Sequence, residues 1–401
     1  MNPRAAAPAT APARRAPLRL RAGRNAGPTR PGTSFPTGAL LDFAVITGHL
    51  PHPEGSSLGR ETFAWADGLR ALGHRVHAWV WDHEPTEDGL EPPEWCSLAP
   101  KGQQMGQGWQ EHLHSLYRPH QYLAKWGWEP PAGAILVAAD VPSAYALFRY
   151  RSQVATVQNR AVRDALACHR LKRYYVQHSR AERDVARRAT VTLAYTERVA
   201  NTLRGNIALV PFAYPLPPQP VPPLDEPTAY LMADWTWEPN KKALRHLLEM
   251  WPQVRQEVPA ARLLLAGALA PRAKIGTMPG VEVLGRVKDS AEVLSRASVL
   301  AFPCPASTGP KTKVFEAMAW GLPVVTTPSG AEGIAAEGRQ GLVLAGARTF
   351  ATELAGLLRD PGRRAAMGRE ARRAMLERHS PVAAAQSRVA VCKENFDLLT
   401  Y

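Results

Sequence analysis

Cysteine is scarce in this chain and its few cysteines are scattered. The 401 residues include four of them, Cys96, Cys168, Cys304 and Cys392, and none forms a pair separated by two residues. This spacing argues against a zinc site and against a disulfide framework, and it favours a reducing compartment. A run of 18 apolar residues is also missing, so the sequence predicts no membrane-spanning helix.

Acidic residues are outnumbered by basic ones, 35 against 49, which gives a formal net charge of +14 at pH 7. Half of that excess lies in residues 1–37, which contain seven arginines and no acidic residue. Because this segment consists mainly of Ala, Pro, Arg and Gly, it cannot bury enough apolar surface to fold, and it lacks the apolar region of a secretory signal. We expect a disordered tail. Its functional alternatives are contact with anionic lipid, nucleic acid or an import system.

Strands and helices alternate between residues 38 and 213. A strand at Leu41–Thr47, a Gly-rich turn, a helix at about 60–72 and a strand at His74–Trp81 make one βαβ unit, the opening of a Rossmann-like domain. Residues 85–131 are less regular, and we expect mixed helix and loop there. Further strands are predicted at 134–139, 153–157, 190–195 and 207–211, and helical stretches at 142–150, 161–189 and 197–203.

A proline-rich linker, residues 214–227, follows this domain. Seven of its residues are proline, which favours an extended chain and forbids helix. A second α/β domain is expected over 228–380, with a helix at about 240–258 and a final helix in the segment 381–401. Its strands are predicted at 230–233, 262–266, 281–284, 299–302, 322–326 and 342–344.

The segment Thr308–Ile334 is the most informative part of the chain. A polar turn with Gly309 and Lys311 leads into a short amphipathic helix that carries Lys313 and Glu316. In an α/β fold, the free N–H groups and dipole of such a helix N-terminus favour phosphate. A carboxylate one turn into the helix can accept two hydrogen bonds from a ribose diol. The arrangement suits a nucleoside diphosphate.

Glu316 is followed by Ala-Met-Ala and then by Gly-Leu-Pro-Val-Val at 321–325. In this order the segment resembles the donor-binding segment of the family 4 glycosyltransferases, which have the GT-B fold. The family pattern starts with another glutamate eight residues earlier, where this chain has Thr308. The lysines at 311 and 313 are typical of a branch that reads glycine-x-lysine-x-lysine-valine here. A weaker similarity extends from about Leu41 to about Glu377.

This resemblance implies an α/β protein of the GT-B fold class, with two doubly wound Rossmann-like domains facing an interdomain cleft. In this fold the last helix often packs back on the first domain. The implied activity is the transfer of a sugar from a nucleotide-diphosphate-sugar donor to an acceptor hydroxyl, with retention, in glycan, polysaccharide or glycolipid biosynthesis. A sugar-nucleotide epimerase and a catalytically inactive nucleotide-sugar-binding subunit are the alternatives.

The resemblance also assigns residues to the donor site. Glu316 is expected to bind the ribose, although it could instead be a solvent-exposed helix residue. Lys311 and Lys313, with Gly309 in the loop before them, are expected to bind the diphosphate. The backbone at Gly285 and Val287 resembles the segment that contacts the base.

Other residues are expected around the donor. A tryptophan, Trp235 or Trp237, could form a wall of the pocket or pack over the linker. Lys241 follows them in a segment where relatives place cations for the diphosphate. Asn240 serves the site or is merely the N-cap of its helix. In the first domain, the loop with Gly55, Ser56 and Gly59 could approach the donor phosphate or the acceptor.

The catalytic group is the least defined part of the site. In retaining enzymes of this fold the departing phosphate is thought to take the acceptor proton, and the protein stabilises charge. Relatives usually add an N-domain histidine, and Gln158 or Asn159 stands where it could be expected. The substitution at Thr308 could alter contacts with the donor sugar. His49, His52, His169 and His178 are alternatives whose more ordinary roles are structural.

We expect no cofactor beyond the nucleotide sugar and no metal site, since the chain has no aspartate-x-aspartate motif. The expected partners are the nucleotide sugar and a glycan, lipid-linked or small-molecule acceptor. No nucleic-acid partner is expected. The expected location is cytoplasmic, with peripheral contact to an anionic membrane as a possibility consistent with the basic charge.

Overall fold

The computed structural model describes residues 40–81, 89–99, 123, 127–147, 150, 153–158, 160–167, 173–267, 278–306, 308–334, 339 and 341–396. The predicted tail, Asn159, Cys168 and His169 lie outside the described residues. Among those that are described, no helix is both long and apolar enough to cross a lipid bilayer.

The N-terminal half folds around a parallel sheet of seven strands in the order β3-β2-β1-β4-β5-β6-β7. Its strands are β1 (Asp42–Thr47), β2 (Arg75–Val80), β3 (Cys96–Leu98), β4 (Ile135–Ala138), β5 (Gln153–Val157), β6 (Val191–Ala194) and β7 (Ile207–Leu209). Its helices are α1 (Ser57–Ala71), α2 (Val141–Leu147), α3 (Ala161–Ala167), α4 (Arg173–Arg188) and α5 (Glu197–Ala200).

Two features of this half differ from the sequence prediction. The region expected to be mixed helix and loop contains β3, whose three residues are too few to show an alternating pattern. The helical stretch expected over 161–189 consists of two helices, α3 and α4.

The C-terminal half has a parallel sheet of six strands in the order β10-β9-β8-β11-β12-β13. Its strands are β8 (Thr228–Met232), β9 (Arg262–Ala266), β10 (Val281–Gly285), β11 (Val299–Phe302), β12 (Val324–Thr326) and β13 (Leu342–Leu344). The helices are α6 (Glu238–Glu257), α7 (Ala291–Leu294), α8 (Thr312–Ala319), α9 (Phe350–Arg359), α10 (Pro361–Ala374) and α11 (Pro381–Asn395), with a π-helical turn at Met375–His379.

Both sheets are doubly wound, because the strand order reverses beside β1 in one and beside β8 in the other. Ligands of such sheets bind at the carboxyl ends of the strands, near the reversal. The alternation of short apolar strands and amphipathic helices that the sequence predicts is therefore realised as two Rossmann-like sheets, and the predicted α/β fold class is confirmed.

The chain crosses between the two halves twice, and the crossing segments are joined. The Tyr214 N–H donates to the carbonyl of His379, and His379 Nδ1 donates to the carbonyl of Phe212 at 2.8 Å. The proline-rich linker packs on the C-terminal half, where Arg372 of α10 donates to the Pro217 carbonyl at 2.7 Å. The bond from Arg372 gives a linker carbonyl a partner that an extended proline segment cannot supply itself.

The last helix, α11, packs on α1 of the N-terminal half. Gly68 permits the close approach, because a Cβ at this position would lie 1.9 Å from the Pro381 carbonyl oxygen. Arg388 of α11 and Glu61 of α1 form a buried ion pair, with side chains 5% and 1% exposed. Glu61 also accepts a hydrogen bond from Trp65 Nε1 at 3.1 Å.

Candidate active site

A cleft of about 1230 Å³ lies between the two sheets. Loops that follow β1, β5, β8, β10 and β11 form its walls, so both domains contribute the carboxyl ends of their strands. This position is where doubly wound sheets bind ligands. The cleft is accordingly the place to look for the residues that the sequence singles out.

Glu316 lies on α8 and lines the cleft while remaining 6% exposed. One of its carboxylate oxygens is 3.6 Å from Arg60 Nη1, which belongs to α1 of the other domain. Tyr214 is the second neighbour of Glu316. The pKa of the Tyr214 hydroxyl is raised mainly by burial and then by the charge of Glu316. Glu316 is thus a carboxylate at a domain boundary, directed into the cleft and not into solvent.

Lys311 precedes α8 and is also a cleft residue, 5% exposed. Its Nζ donates to the carbonyl of Gly309, a residue whose φ of +90° is readily adopted by glycine. Burial lowers the pKa of Lys311, because the charged amine loses water that a neutral carbonyl does not fully replace. A negatively charged ligand would remove that cost.

Lys313 occupies the first turn of α8 and faces the same cleft. Its Nζ donates to Asn240 Oδ1 at 2.9 Å and lies 4.4 Å from the centre of the Phe302 ring. Burial lowers the pKa of this amine to about 8. Two lysines with lowered pKa values therefore stand at the N-terminus of one helix, whose dipole adds to the positive potential.

Asn240 is a structural part of this group and not a helix cap. The N-cap of α6 is Trp237, while the Asn240 amide Nδ2 donates to the Asp234 carbonyl at 2.8 Å. Its Oδ1 at the same time accepts from Lys313. One neutral side chain thus joins the loop after β8 to the lysine, and it leaves the charge of the lysine uncompensated.

The loop after β1 reaches the cleft from the opposite wall through Gly55 and Ser57. Ser56 caps α1, where its Oγ accepts from the Gly59 N–H at 3.2 Å, so Ser56 and Gly59 shape the loop. Ser57 Oγ lies 2.5 Å from Thr312 Oγ1 of α8. The first residues of α1 and α8 therefore meet across the domain boundary.

The remaining candidates divide between the cleft and its surroundings. Gln158, Val287 and Thr308 line the cleft, and Gly285 ends β10 with a φ of +74° just before Val287. None of the predicted histidines that the structure describes is among the residues lining the cleft. Burial lowers the pKa of His178 to about 4, which leaves it neutral near pH 7.

Several sequence candidates do not line the cleft: Ser56, Gly59, Trp235, Lys241, Gly285 and Gly309. Trp235 is 3% exposed and packs in the core, and it is Trp237 that lines the cleft. Both tryptophans follow the end of β8, where the alternation of a strand no longer applies, and Trp235 packs against Gly267. Lys241 is directed outward and pairs with Glu238 at 3.7 Å, a contact between exposed groups three residues apart on α6.

Arg60, Tyr214 and Arg286 are among the cleft residues that the sequence did not single out. Arg286 stands between Gly285 and Val287, both of which the sequence indicated as site residues. Arg60 comes one residue after the Gly-rich loop, a position where a cation at the start of a helix is unfavourable by itself and so could have been noticed. Nothing in the sequence pattern distinguishes Tyr214 from the other linker residues.

Comparison with known proteins agrees with this geometry. Residues 227–360 match the family model described as glycosyl transferases group 1. No curated protein is similar enough in sequence to count as a match. The predicted glycosyltransferase class is confirmed, whereas retention and membership of family 4 stay predictions.

Solved structures extend the likeness to both halves of the chain. Sucrose-phosphate synthase from Thermosynechococcus elongatus superposes with a TM-score of 0.61 at 15% identity over 88% of this chain and 98% of that one. HepE from Anabaena, in complex with UDP and glucose, gives 0.61 at 15% over 88% and 99%. A variant of TarM from S. aureus, in complex with UDP among other ligands, gives 0.54 at 15% over 68% of this chain and 57% of its own. At such identities the superpositions establish the shared GT-B fold.

Proposed function

We propose that this glycosyltransferase moves a sugar from a nucleoside-diphosphate sugar to an acceptor hydroxyl, with retention at the anomeric carbon and without a metal ion. The observation that carries the proposal is the convergence of Glu316, Lys311 and Lys313 on one wall of the interdomain cleft. A carboxylate next to two lysines at a helix N-terminus offers complementary partners for a ribose diol and a diphosphate.

The donor would lie along α8. Glu316 accepts from the two ribose hydroxyls, and Lys311 and Lys313 face the phosphates with the N–H groups of the first helical turn. The loop with Gly55 and Ser57 closes the site from the N-terminal domain, where the acceptor would enter. Support for this division comes from the Ser57–Thr312 contact of 2.5 Å, which brings both walls within reach of one ligand.

The chemical step needs a proton acceptor and charge stabilisation. The acceptor oxygen bonds to the anomeric carbon, the bond from that carbon to the phosphate oxygen breaks, and the leaving phosphate oxygen takes the acceptor proton on the same face. Lysines beside the phosphate stabilise the negative charge that grows on it. Gln158 and Thr308 line the cleft and are the residues we assign to contacts with the transferred sugar.

The absence of a metal requirement rests on the two lysines, which supply the positive charge that a divalent ion would otherwise bring. Nucleotide binding measured with EDTA should therefore equal binding with added Mg²⁺ or Mn²⁺. A loss of binding in EDTA that either ion restores would contradict this part of the proposal.

A thermal-shift screen tests the donor assignment. UDP is the first probe because HepE and TarM are described in complex with UDP, and GDP and ADP are the others. A ligand at 100 times its dissociation constant should stabilise the protein by roughly 2.7 kcal/mol. No shift with any nucleoside diphosphate would refute the proposed function. Hydrolysis or transfer from the matching nucleotide sugars would then identify the sugar.

Thr308 favours a second candidate, a nucleotide-sugar-binding subunit without catalytic activity. It stands, 6% exposed, where the resembling family has a glutamate. A protein that binds the donor but neither hydrolyses nor transfers the sugar would support this candidate. Restored turnover in Thr308→Glu would then assign the loss of activity to this residue.

For the acceptor we propose a glycan or a lipid-linked glycan handled at an anionic membrane surface. Helix α4 exposes four arginines and a single acid, Asp184, along one side: Arg180, Arg183, Arg187 and Arg188. Sedimentation with vesicles of phosphatidylglycerol should capture the protein at low salt and release it at high salt. Deletion of 1–37 distinguishes the tail from α4, since loss of capture on deletion would assign the contact to the tail.

A further inference from the structure

The loop of residues 308–311, which contains Lys311, packs against a turn at residues 331–333 of the same domain. The Gly309 N–H donates to Glu332 Oε2 at 3.2 Å, and the Gly309 carbonyl accepts from Lys311 Nζ. Gly333 lies against Pro310, since a Cβ at position 333 would be 3.4 Å from the proline ring. Both polar groups of Gly309 therefore have partners, and one of these partners is the lysine of the donor site.

Glu332 has a second partner in the other domain. Arg198, on α5, places its Nε 3.1 Å from Glu332 Oε1. The Glu332 side chain is 9% exposed and that of Arg198 51% exposed, so the pair stands at the edge of the domain boundary. One carboxylate thus uses one oxygen for the N-terminal domain and the other for the loop that leads to Lys311.

Resting on the proposed function, we propose that Glu332 is a positioning residue for the diphosphate: together with Arg198 it makes the conformation of the 308–311 loop depend on the placement of the N-terminal domain. Neither residue is among those lining the cleft. The pair would act through Gly309 and Lys311 and would not touch the ligand. Binding of the diphosphate and approach of the two domains would then favour one another, as coupled equilibria must.

A purely electrostatic role of Glu332 and the positioning role predict opposite changes in anion binding when its charge is removed. Glu332 is a negative charge close enough to Lys311 to affect its protonation. If long-range electrostatics governed anion binding, neutralising this carboxylate in Glu332→Gln would strengthen it. An amide has a single acceptor oxygen and cannot serve both the Gly309 N–H and the Arg198 guanidinium. The positioning role therefore predicts weaker binding in the same variant.

The experiment is titration calorimetry of UDP and uridine with the full chain and four variants. Glu332→Gln should weaken UDP binding about tenfold, as expected for loss of a bond to a charged group. The more exposed Arg198→Ala should weaken it by about threefold, in the range of surface ion pairs. Uridine, which lacks the diphosphate, should bind all variants as it binds the parent. The double variant should lose no more than Glu332→Gln alone, because the two residues act through one contact.

Arg204→Ala is the matched control, since Arg204 is an exposed arginine that follows the same helix. It removes the same charge and should leave UDP affinity unchanged. Tighter UDP binding by Glu332→Gln, equal losses in Arg204→Ala and Arg198→Ala, or additive losses in the double variant would each overturn the inference. If the parent protein binds neither UDP nor GDP, it is the proposed function that fails.

Discussion

Glu316→Gln is the change that examines the donor site most directly. The substitution keeps the size of the side chain and removes the charge that a ribose diol would use. Glu316 is 6% exposed, and its nearest cation, Arg60, is 3.6 Å away across the domain boundary, beyond hydrogen-bond distance. Because the substitution keeps the volume of the side chain and breaks no close ion pair, the variant should fold with the parent's secondary structure. A neutral amide also has one acceptor oxygen in place of two, so it cannot receive both ribose hydroxyls.

The size of the expected loss in binding free energy depends on the contacts that the Glu316 carboxylate makes without ligand. A hydrogen bond to a charged group contributes about 1.5–3 kcal/mol. Glu316 already interacts with Arg60 and with Tyr214, so the ribose hydroxyls replace existing partners and the net gain falls in the lower half of that range. We therefore expect a loss of about 1.5–2 kcal/mol, roughly tenfold to thirtyfold in the dissociation constant.

Calorimetry with UDP and with uridine distinguishes the proposed role from others. Both ligands contain the ribose, so Glu316→Gln should weaken both by the same factor. Thermal unfolding of the ligand-free variant, compared with the parent, monitors the fold. Loss of UDP binding with uridine binding intact would refute the ribose assignment, because it would place Glu316 beside the phosphates. Unchanged affinity for both ligands would remove it from the site.

Three further predictions concern other charged residues. Lys311→Ala should weaken UDP binding by about 1.5–3 kcal/mol and leave uridine binding unchanged, since only UDP presents phosphate; equal losses would indicate a folding defect. With the pKa of Lys313 lowered by burial to about 8, UDP affinity should fall as the pH rises above 8. The same lysine should make the free energy of unfolding rise between about pH 8 and its unfolded pKa near 10.4, because in that range the unfolded chain binds more protons than the folded one. Lys313→Met, measured over the same range, should lose both the pH dependence of UDP affinity and that of the unfolding free energy. Arg388→Met should lower the unfolding free energy by about 3–5 kcal/mol by leaving Glu61 buried without its cation, and Glu61→Gln in the same chain should restore part of it; a loss under 1 kcal/mol in chemical denaturation would show that the pair contributes little.

The sequence alone was sufficient for most of the scaffold. Strands β5, β9, β11 and β13 have the bounds that their apolar runs predict, since short buried strands between Gly, Pro and polar turns leave a local signal. Local signals failed where an element was too short to show a period, as in β3. The order of the strands follows from the handedness and shortness of βαβ connections, which restrict the topologies open to such a chain.

At the site, the sequence determined those residues whose chemistry follows from their position in one segment. Glu316, Lys311 and Lys313 belong to a single loop and helix, so their spacing already places a carboxylate near two cations at a helix N-terminus. The choice between Trp235 and Trp237 could not be made in this way. Both follow the same strand, and only the packing of the loop against Gly267 decides which one is buried.

Contacts between distant segments were decided by the tertiary structure. Arg60 lies beside Glu316, Asn240 holds Lys313, and Arg198 reaches Glu332, although each pair is far apart in the chain. A helical period states which face of a helix is apolar but not which segment will cover it or which polar side chain will stand opposite. That choice depends on the packing of distant segments against one another, because buried charges need partners that offset their loss of water.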